Sequence, residues 1–380
     1  MLAFGALSRG MMTSTLSNAL NTLTGHIQIQ HPAFRDDPVI DNRLTAPARV
    51  ADVLEQHLPG NAAFAFRIQV NGVASNARNS ESITIVGIDP AKEAGLSFYG
   101  DNTAQGKLLA PGDYRGIVVG QALLDSFETK IGRKLVLMTR DATLETASKA
   151  FKIRGTFRAE MEATEKQFVF ITLDAAQSFL KAGTGVTSAC IKLPEETTMD
   201  LEALAKTAKA LARELPEGTA VLTWVDLLPL LKGYLSMFDS FMLLWYLVVF
   251  VAMAFGLTNT MLMAVLERTR EFGLLKALGM KPSWIIRNVL LECLILLAIG
   301  LAAGNILGFA TVQALSGGID MSFMAEGSEF FGIGHLVIPY ITLKDLLSVN
   351  AVIMGLGVLV CLYPAVKAGR ITPVEAMSHT

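Results

Sequence analysis

The sequence predicts an α-helical membrane bundle joined to a large external domain of α+β type that carries a β-rich insertion. Three observations predict it. Residues 241–266, 293–319 and 346–366 are runs without a charged side chain, and about 20 apolar helical residues suffice to cross a hydrocarbon core about 30 Å thick. The 380-residue chain is 52% hydrophobic yet 17% charged, a balance between a soluble protein and a pure bundle. Residues 24–235 carry most of that charge and read as short alternating strands between amphipathic helices. Net charge is −2, which gives no global field for nucleic acid.

The organisation follows in order. Residues 1–23 start apolar and continue with Met11, Met12, Leu16, Leu20 and Leu23 at roughly helical spacing, as a helix leading out of the membrane. Residues 26–30 alternate as a strand. Thr45 is placed to cap a helix with Pro47 in its first turn and Val50, Leu54 and Leu58 on one face. Phe64, Phe66, Ile68 and Val70 alternate up to Asn71-Gly72, the signature of a two-residue hairpin turn. Strand, helix and strand recur at 189–193, 201–215 and 219–224. Between the halves, residues 82–86, 117–119, 134–138, 151–154 and 168–172 read as inserted strands. Residues 236–380 hold the spans, at about 238–266, 289–316 and 346–366.

Orientation comes from the basic residues of short loops. Arg268, Arg270, Lys276, Lys281 and Arg287 lie between the first two of these spans, and Lys367 and Arg370 follow the last, whereas residues 320–345 hold only Lys344. The 267–287 loop and the C-terminus are therefore expected in the cytoplasm, and the large domain outside. Such a domain needs an export route. Either the first apolar run translocates a long N-terminal tail, or residues 1–8 are the end of a further transmembrane helix that lies upstream.

Motifs for chemistry are few. His26 and His31 lack the spacing of a metal site and read as surface histidines. Asp36, Asp37 and Asp41 read as a solvated loop rather than a calcium site. No phosphate-cradling Gly-x-x-x-x-Gly-Lys-Ser/Thr is present, so any ATP is bound by another chain. Of three cysteines, only Cys190 lies in the external domain, where it has no partner for an internal bridge. Gly300, Gly304 and Gly308 recur every fourth residue, which permits close helix packing in the bundle or at a subunit interface. Glu292, near the end of its span, is an ionisable residue at membrane depth.

One segment stands apart. Residues 267–281 spend charge, glycine and leucine on what could have been a short turn. Phe272, Leu275 and Leu278 are expected on one apolar side and Gly279 at the helix end. A helix resting on lipid is the plain alternative to a docking surface.

At these residues the chain resembles the FtsX-like permease family of ABC transporters. Glu267-Arg268-x-x-Glu271-Phe272-Gly273-x-x-Lys276-Ala-x-Gly279 is similar to that family's coupling segment, and Leu275 sits within it. Tyr363-Pro-Ala-x-Lys367-Ala-x-Arg-Ile-x-Pro373-x-Glu375 is similar to its ending. The external part, opening on Thr24-Gly25-His26-Ile27-Gln28-Ile29, resembles the MacB-type periplasmic domain in the form found in LolC/LolE-like lipoprotein-releasing permeases. The resemblance implies four spans and a non-catalytic subunit without cofactor or metal in the bacterial inner membrane. It also implies a cytoplasmic ABC ATPase partner, a second permease copy or sister, and mechanotransmission of the ATPase stroke to the periplasm. Extraction of lipoproteins or lipids is the first functional expectation. MacB-like efflux, and FtsX-like regulation of a periplasmic hydrolase, are the alternatives.

Overall fold

The computed structural model describes residues 1–100, 103–194, 200–320 and 336–372. The chain divides into two compact units. One is Ser14–Lys232. The other combines Met1–Thr13, Gly233–Asp320 and the described residues from Leu336 onward.

The chain starts in helix α1 (Leu2–Ala19), which ends in a single tight turn over Leu20–Thr24. The mixed unit is then built on strand β1 (Ile27–Gln30), helix α2 (Pro47–His57) and strand β2 (Ala63–Ser75). Its insertion holds β3 (Ser80–Ile88), α3 (Pro90–Glu93), β4 (Thr103–Gly106), β5 (Gly116–Gly120), α4 (Gln121–Ser126), β6 (Lys134–Arg140), β7 (Thr146–Phe157), α5 (Glu162–Gln167), β8 (Phe168–Thr172) and α6 (Leu173–Phe179). The chain returns through β9 (Ser188–Lys192), α7 (Leu201–Glu214), β10 (Ala220–Thr223) and the short α8 (Trp224–Leu227).

The two strand-helix-strand halves interleave in one antiparallel sheet. Its order is β10-β1-β9-β2, with Ile27 opposite Thr223 on one side and Ile191 on the other. Helices α2 and α7 pack together, burying Val50, Leu54, Leu204, Ala208 and Leu211. The helix at 47 begins after Ala46 with Pro47 in its first turn, and no side chain caps it, so Thr45 does not take the expected role. Proline's fixed φ and missing N–H suffice to start the helix there.

The insertion is a closed ring of strands. Pairing runs β2-β3-β8-β5-β7-β6 and returns from β6 to β2. Alternation turns Ile85, Ile117, Val119, Leu135, Leu137, Phe151, Ile153 and Val169 into one core. Closure removes free strand edges, a hazard of open sheets. The expected turn at Asn71-Gly72 does not occur. Strand β2 runs through both residues, and the chain reverses at 76–79, where Asn76 N–H donates to Asn79 O at 3.0 Å. Gly72 serves a close crossing instead, since a Cβ there would sit 2.7 Å from Met138 O of β6. Local sequence reads Asn-Gly as a turn; the barrel uses the glycine to let two strands touch.

Three long apolar helices make the second unit: α9 (Pro229–Glu267), α11 (Pro282–Ala314) and α12 (Leu343–Arg370), with the short α10 (Thr269–Ala277) between the first two. At 1.5 Å per residue α9 is roughly 58 Å long, so it overhangs a hydrocarbon core about 30 Å thick. Helices α11 and α12 pack closely because Gly357 and Gly369 lack side chains. A Cβ at Gly369 would meet Ile286 Cγ1 at 2.6 Å, and one at Gly357 would meet Leu297 at 2.9 Å. The glycines singled out for packing behave differently. Positions 300 and 304 have no atom within 4 Å of an added Cβ, whereas a Cβ added at Gly308 would lie 3.2 Å from Leu2 Cβ. Cys293 and Cys361 form a disulfide between α11 and α12, while Cys190 is free and buried.

Candidate functional site: the segment between the first two apolar helices

Within residues 267–281 the short helix α10 is fastened to the bundle on one side and open on the other. Phe272, 3% exposed, packs among Met261, Val265, Ile285, Val289 and Ala365. Gly273 is buried beside it and Leu275 is half-buried against the same cluster. Two polar ties reinforce this packing. The Arg268 guanidinium reaches Glu271 and Glu292, each at 3.0 Å, and lies 5.5 Å from the Phe272 ring centre. Lys276 Nζ donates to the Ile371 carbonyl at 2.7 Å. Glu292 is thus one half of a tie to the segment, and needs no separate role to explain it.

The helix stops by backbone geometry that only glycine accepts readily. Gly279 has φ +93°, its N–H donates to Lys276 O at 2.9 Å, and Met280 N–H donates to Leu275 O at 3.0 Å. That pair of bonds satisfies the last carbonyls of the helix.

Along α10 and its C-cap the exposed residues are Arg270, Glu271, Leu274, Ala277 and Leu278, a spacing that marks one helical face, and Gly279, Met280 and Lys281 beyond the helix are exposed as well. Leu274 is 63% exposed and Leu278 77%. Glu267 is also exposed. The expected apolar side of Phe272, Leu275 and Leu278 is therefore split. Phe272 and Leu275 face the bundle, and the outward leucines are 274 and 278. Helical periodicity points to a single stripe of Phe272, Leu275 and Leu278; which side chains turn inward is decided by the cluster on α11 and α12, far away in sequence. Of the C-terminal motif, Tyr363 is exposed, Pro364 and Ala365 are buried, and Pro373 and Glu375 lie outside the described residues.

In the mixed unit no group of three or more His, Cys, Asp or Glu side chains suited to a metal occurs among the described residues. His26 is a buried residue rather than a surface one, and its Nδ1 accepts the Leu193 N–H at 3.2 Å. His31 accepts from Ala33 N–H at the start of a short turn. Arg67 was not legible as important. It sits on β2 out of phase with the apolar alternation of Phe64, Phe66, Ile68 and Val70, which assigns it to the exterior, yet it is 1% exposed and paired with a fully buried Glu93.

Two family models match the chain. Residues 1–210 match the MacB-like periplasmic core domain, and residues 243–373 match the FtsX-like permease C-terminal region. Similar proteins include the lipoprotein-releasing system transmembrane protein LolC of Neisseria meningitidis, 21% identical over 80% of this chain and 75% of that protein. The macrolide export ATP-binding/permease protein MacB of Syntrophobacter fumaroxidans is 26% identical over 43% of this chain and 21% of its own length. The solved periplasmic region of MacB from Actinobacillus actinomycetemcomitans aligns with 54% of this chain and 90% of itself, at 11% identity and a TM-score of 0.37. The chain is the non-catalytic permease component of an ABC transporter of the inner membrane, and it belongs to the family of the MacB-like periplasmic core domain, joined to an FtsX-like permease region.

Proposed function

We propose that this permease passes the stroke of a separate cytoplasmic ABC ATPase to its periplasmic domain, and that α10 is where the ATPase pushes. One observation carries the reading: α10 is fixed to the bundle by Phe272, Arg268 and Lys276 while presenting Arg270, Leu274, Leu278 and Lys281 outward. A lever needs both properties. Apolar anchors at Leu274 and Leu278 with charges at the rim suit a helix seated in a groove of a partner. With the mixed domain in the periplasm, one crossing by α9 puts α10 in the cytoplasm. Two further crossings, by α11 and α12, put the C-terminus there too. A second permease copy or a sister permease completes the assembly, and the four-residue spacing of Gly300 and Gly304 suits close approach of another helix.

For the substrate, efflux of the MacB kind comes first, supported by the family match over residues 1–210. Lipoprotein release is the second reading, favoured by a LolC relative aligned over 75% of its own length. Reconstitution with the cognate ATPase separates them. The complex in proteoliposomes is given either a membrane-anchored lipoprotein or an apolar small molecule with ATP. The efflux reading expects ATP-dependent movement of the small molecule and no release of lipoprotein; the reverse pattern selects the second reading. Movement of neither sinks both.

A further inference from the structure

The bend between α1 and β1 is held by a buried charged clamp. Thr22 and Leu23 leave helical geometry, and Leu23 adopts φ +64° and ψ +2°, a left-handed conformation that is unfavourable for a residue with a side chain. Glycine would avoid that cost. Leucine is retained because its side chain is 3% exposed and packs in the cluster of Val86, Ile88, Phe157 and Phe170. Its carbonyl is gripped as well. Arg67 NH1 donates to Leu23 O at 2.7 Å and Gln28 Nε2 donates to it at 3.0 Å. Arg67 is in turn fixed by Glu93 through bonds of 3.0 and 2.6 Å, and Ser97 Oγ donates to the same carboxylate at 2.5 Å. Neighbouring residues are tied too: Lys192 Nζ donates to Asn21 Oδ1 at 3.1 Å, and Gly25 N–H to Leu20 O at 2.8 Å. A cavity of about 280 Å³ flanks the bend, lined among others by Thr22, Leu23, Gln28 and Leu228.

Stability alone is a poor reason for this arrangement. A buried ion pair is often no better for stability than well-packed apolar residues of the same volume. Left-handed non-glycine residues persist where the surroundings over-determine them, and they gather where geometry serves function. We propose that Arg67 and Glu93 are positioning residues. Through the Leu23 carbonyl they lock the angle at which α1 delivers the chain into the periplasmic domain, so that force arriving along α1 turns the domain and is not absorbed by the bend. The inference rests on the mechanical reading of the permease given above.

The test uses the full chain assembled with its ATPase in nanodiscs. Arg67→Met combined with Glu93→Leu removes the clamp but fills the space. Gln28→Leu is the milder variant, which leaves the ion pair whole and removes the second donor to Leu23 O. Nitroxide labels at Ser17→Cys and Thr146→Cys, both exposed, report the angle as a distance distribution. Both variants are expected to keep the wild-type melting transition and ATP turnover. The distance distribution should broaden in each, and substrate moved per ATP should fall by about fivefold or more in the double variant, the low end of common coupling strengths. A folded variant with a wild-type distribution and wild-type coupling overturns the proposal. If the double variant does not fold, Gln28→Leu alone decides by the same two readouts. Absence of ATP-driven transport in the wild-type complex would instead defeat the mechanical reading, and the distance measurement would still decide whether the clamp fixes the bend.

Discussion

His26 immediately precedes the first strand of the periplasmic domain, and burial, followed by the nearby charge of Lys192, pushes its pKa from an ordinary 6.5 down to about 4. Well above pH 6.5 neither the folded nor the unfolded chain binds this proton, and its titration makes no difference to stability. Between pH 6.5 and 4 the unfolded chain takes up a proton that the folded chain refuses, so stability falls as pH drops. The full loss, reached below pH 4, is about 3 kcal/mol. Melting of the full chain in detergent at pH 7.5 and 5 should therefore differ, and the difference should shrink in His26→Gln, whose amide oxygen can still accept from Leu193 N–H. Equal acid sensitivity in wild type and variant would contradict this account of His26. Arg67 teaches the same lesson about reading single residues. Alternation along β2 marks its position as exterior, and nothing local announces that it is buried or that Glu93, 26 residues on, will neutralise it there.

At the scale of elements, legibility follows the range of the forces involved. Both strand-helix-strand halves of the mixed domain, the inserted strands at 82–86, 117–119, 134–138, 151–154 and 168–172, and the three apolar helices were readable, because alternation and run length are local. Closure of the insertion into a ring was not, since it depends on β6 finding β2 across 60 residues and on Gly72 yielding space for Met138 O. Nor was the face of α10 that meets the bundle. Glycine spacing alone did not single out the contacts between α11 and α12: Gly300 and Gly304 form the regular stripe, and Gly357 and Gly369 make the close approach within the chain. Gly369→Val should lower the melting temperature of the bundle, because the branched side chain must displace Ile286 and approaches Pro282 O, 3.4 Å from an ideal Cβ. Gly300→Val should leave melting of the single chain unchanged, since open space surrounds it. Scanning fluorimetry on both variants checks this, and equal destabilisation by the two would contradict the packing described. Loss of dimeric assembly in Gly300→Val alone would point to a helix from a neighbouring subunit on that face.

For the whole molecule, the central claim is that a chain with no nucleotide-binding loop is worked from the cytoplasm through α10. Its bulk properties agree with a division of labour: apolar helices 28 to 39 residues long, a periplasmic domain whose barrel is closed, and a charged segment fixed on one side only. The most direct measurement is co-purification with the cognate ATPase, with ATP turnover in the complex, for two variants of α10. Leu274→Asp with Leu278→Asp alters only the outward face; Phe272→Ala removes the inward anchor, at a cost of about 3 kcal/mol or more to the bundle. The account predicts that the outward double variant melts like the wild type but loses its ATPase, whereas Phe272→Ala lowers the melting temperature first and binds less as a consequence. A double variant that retains the ATPase and turns over ATP at the wild-type rate would contradict it.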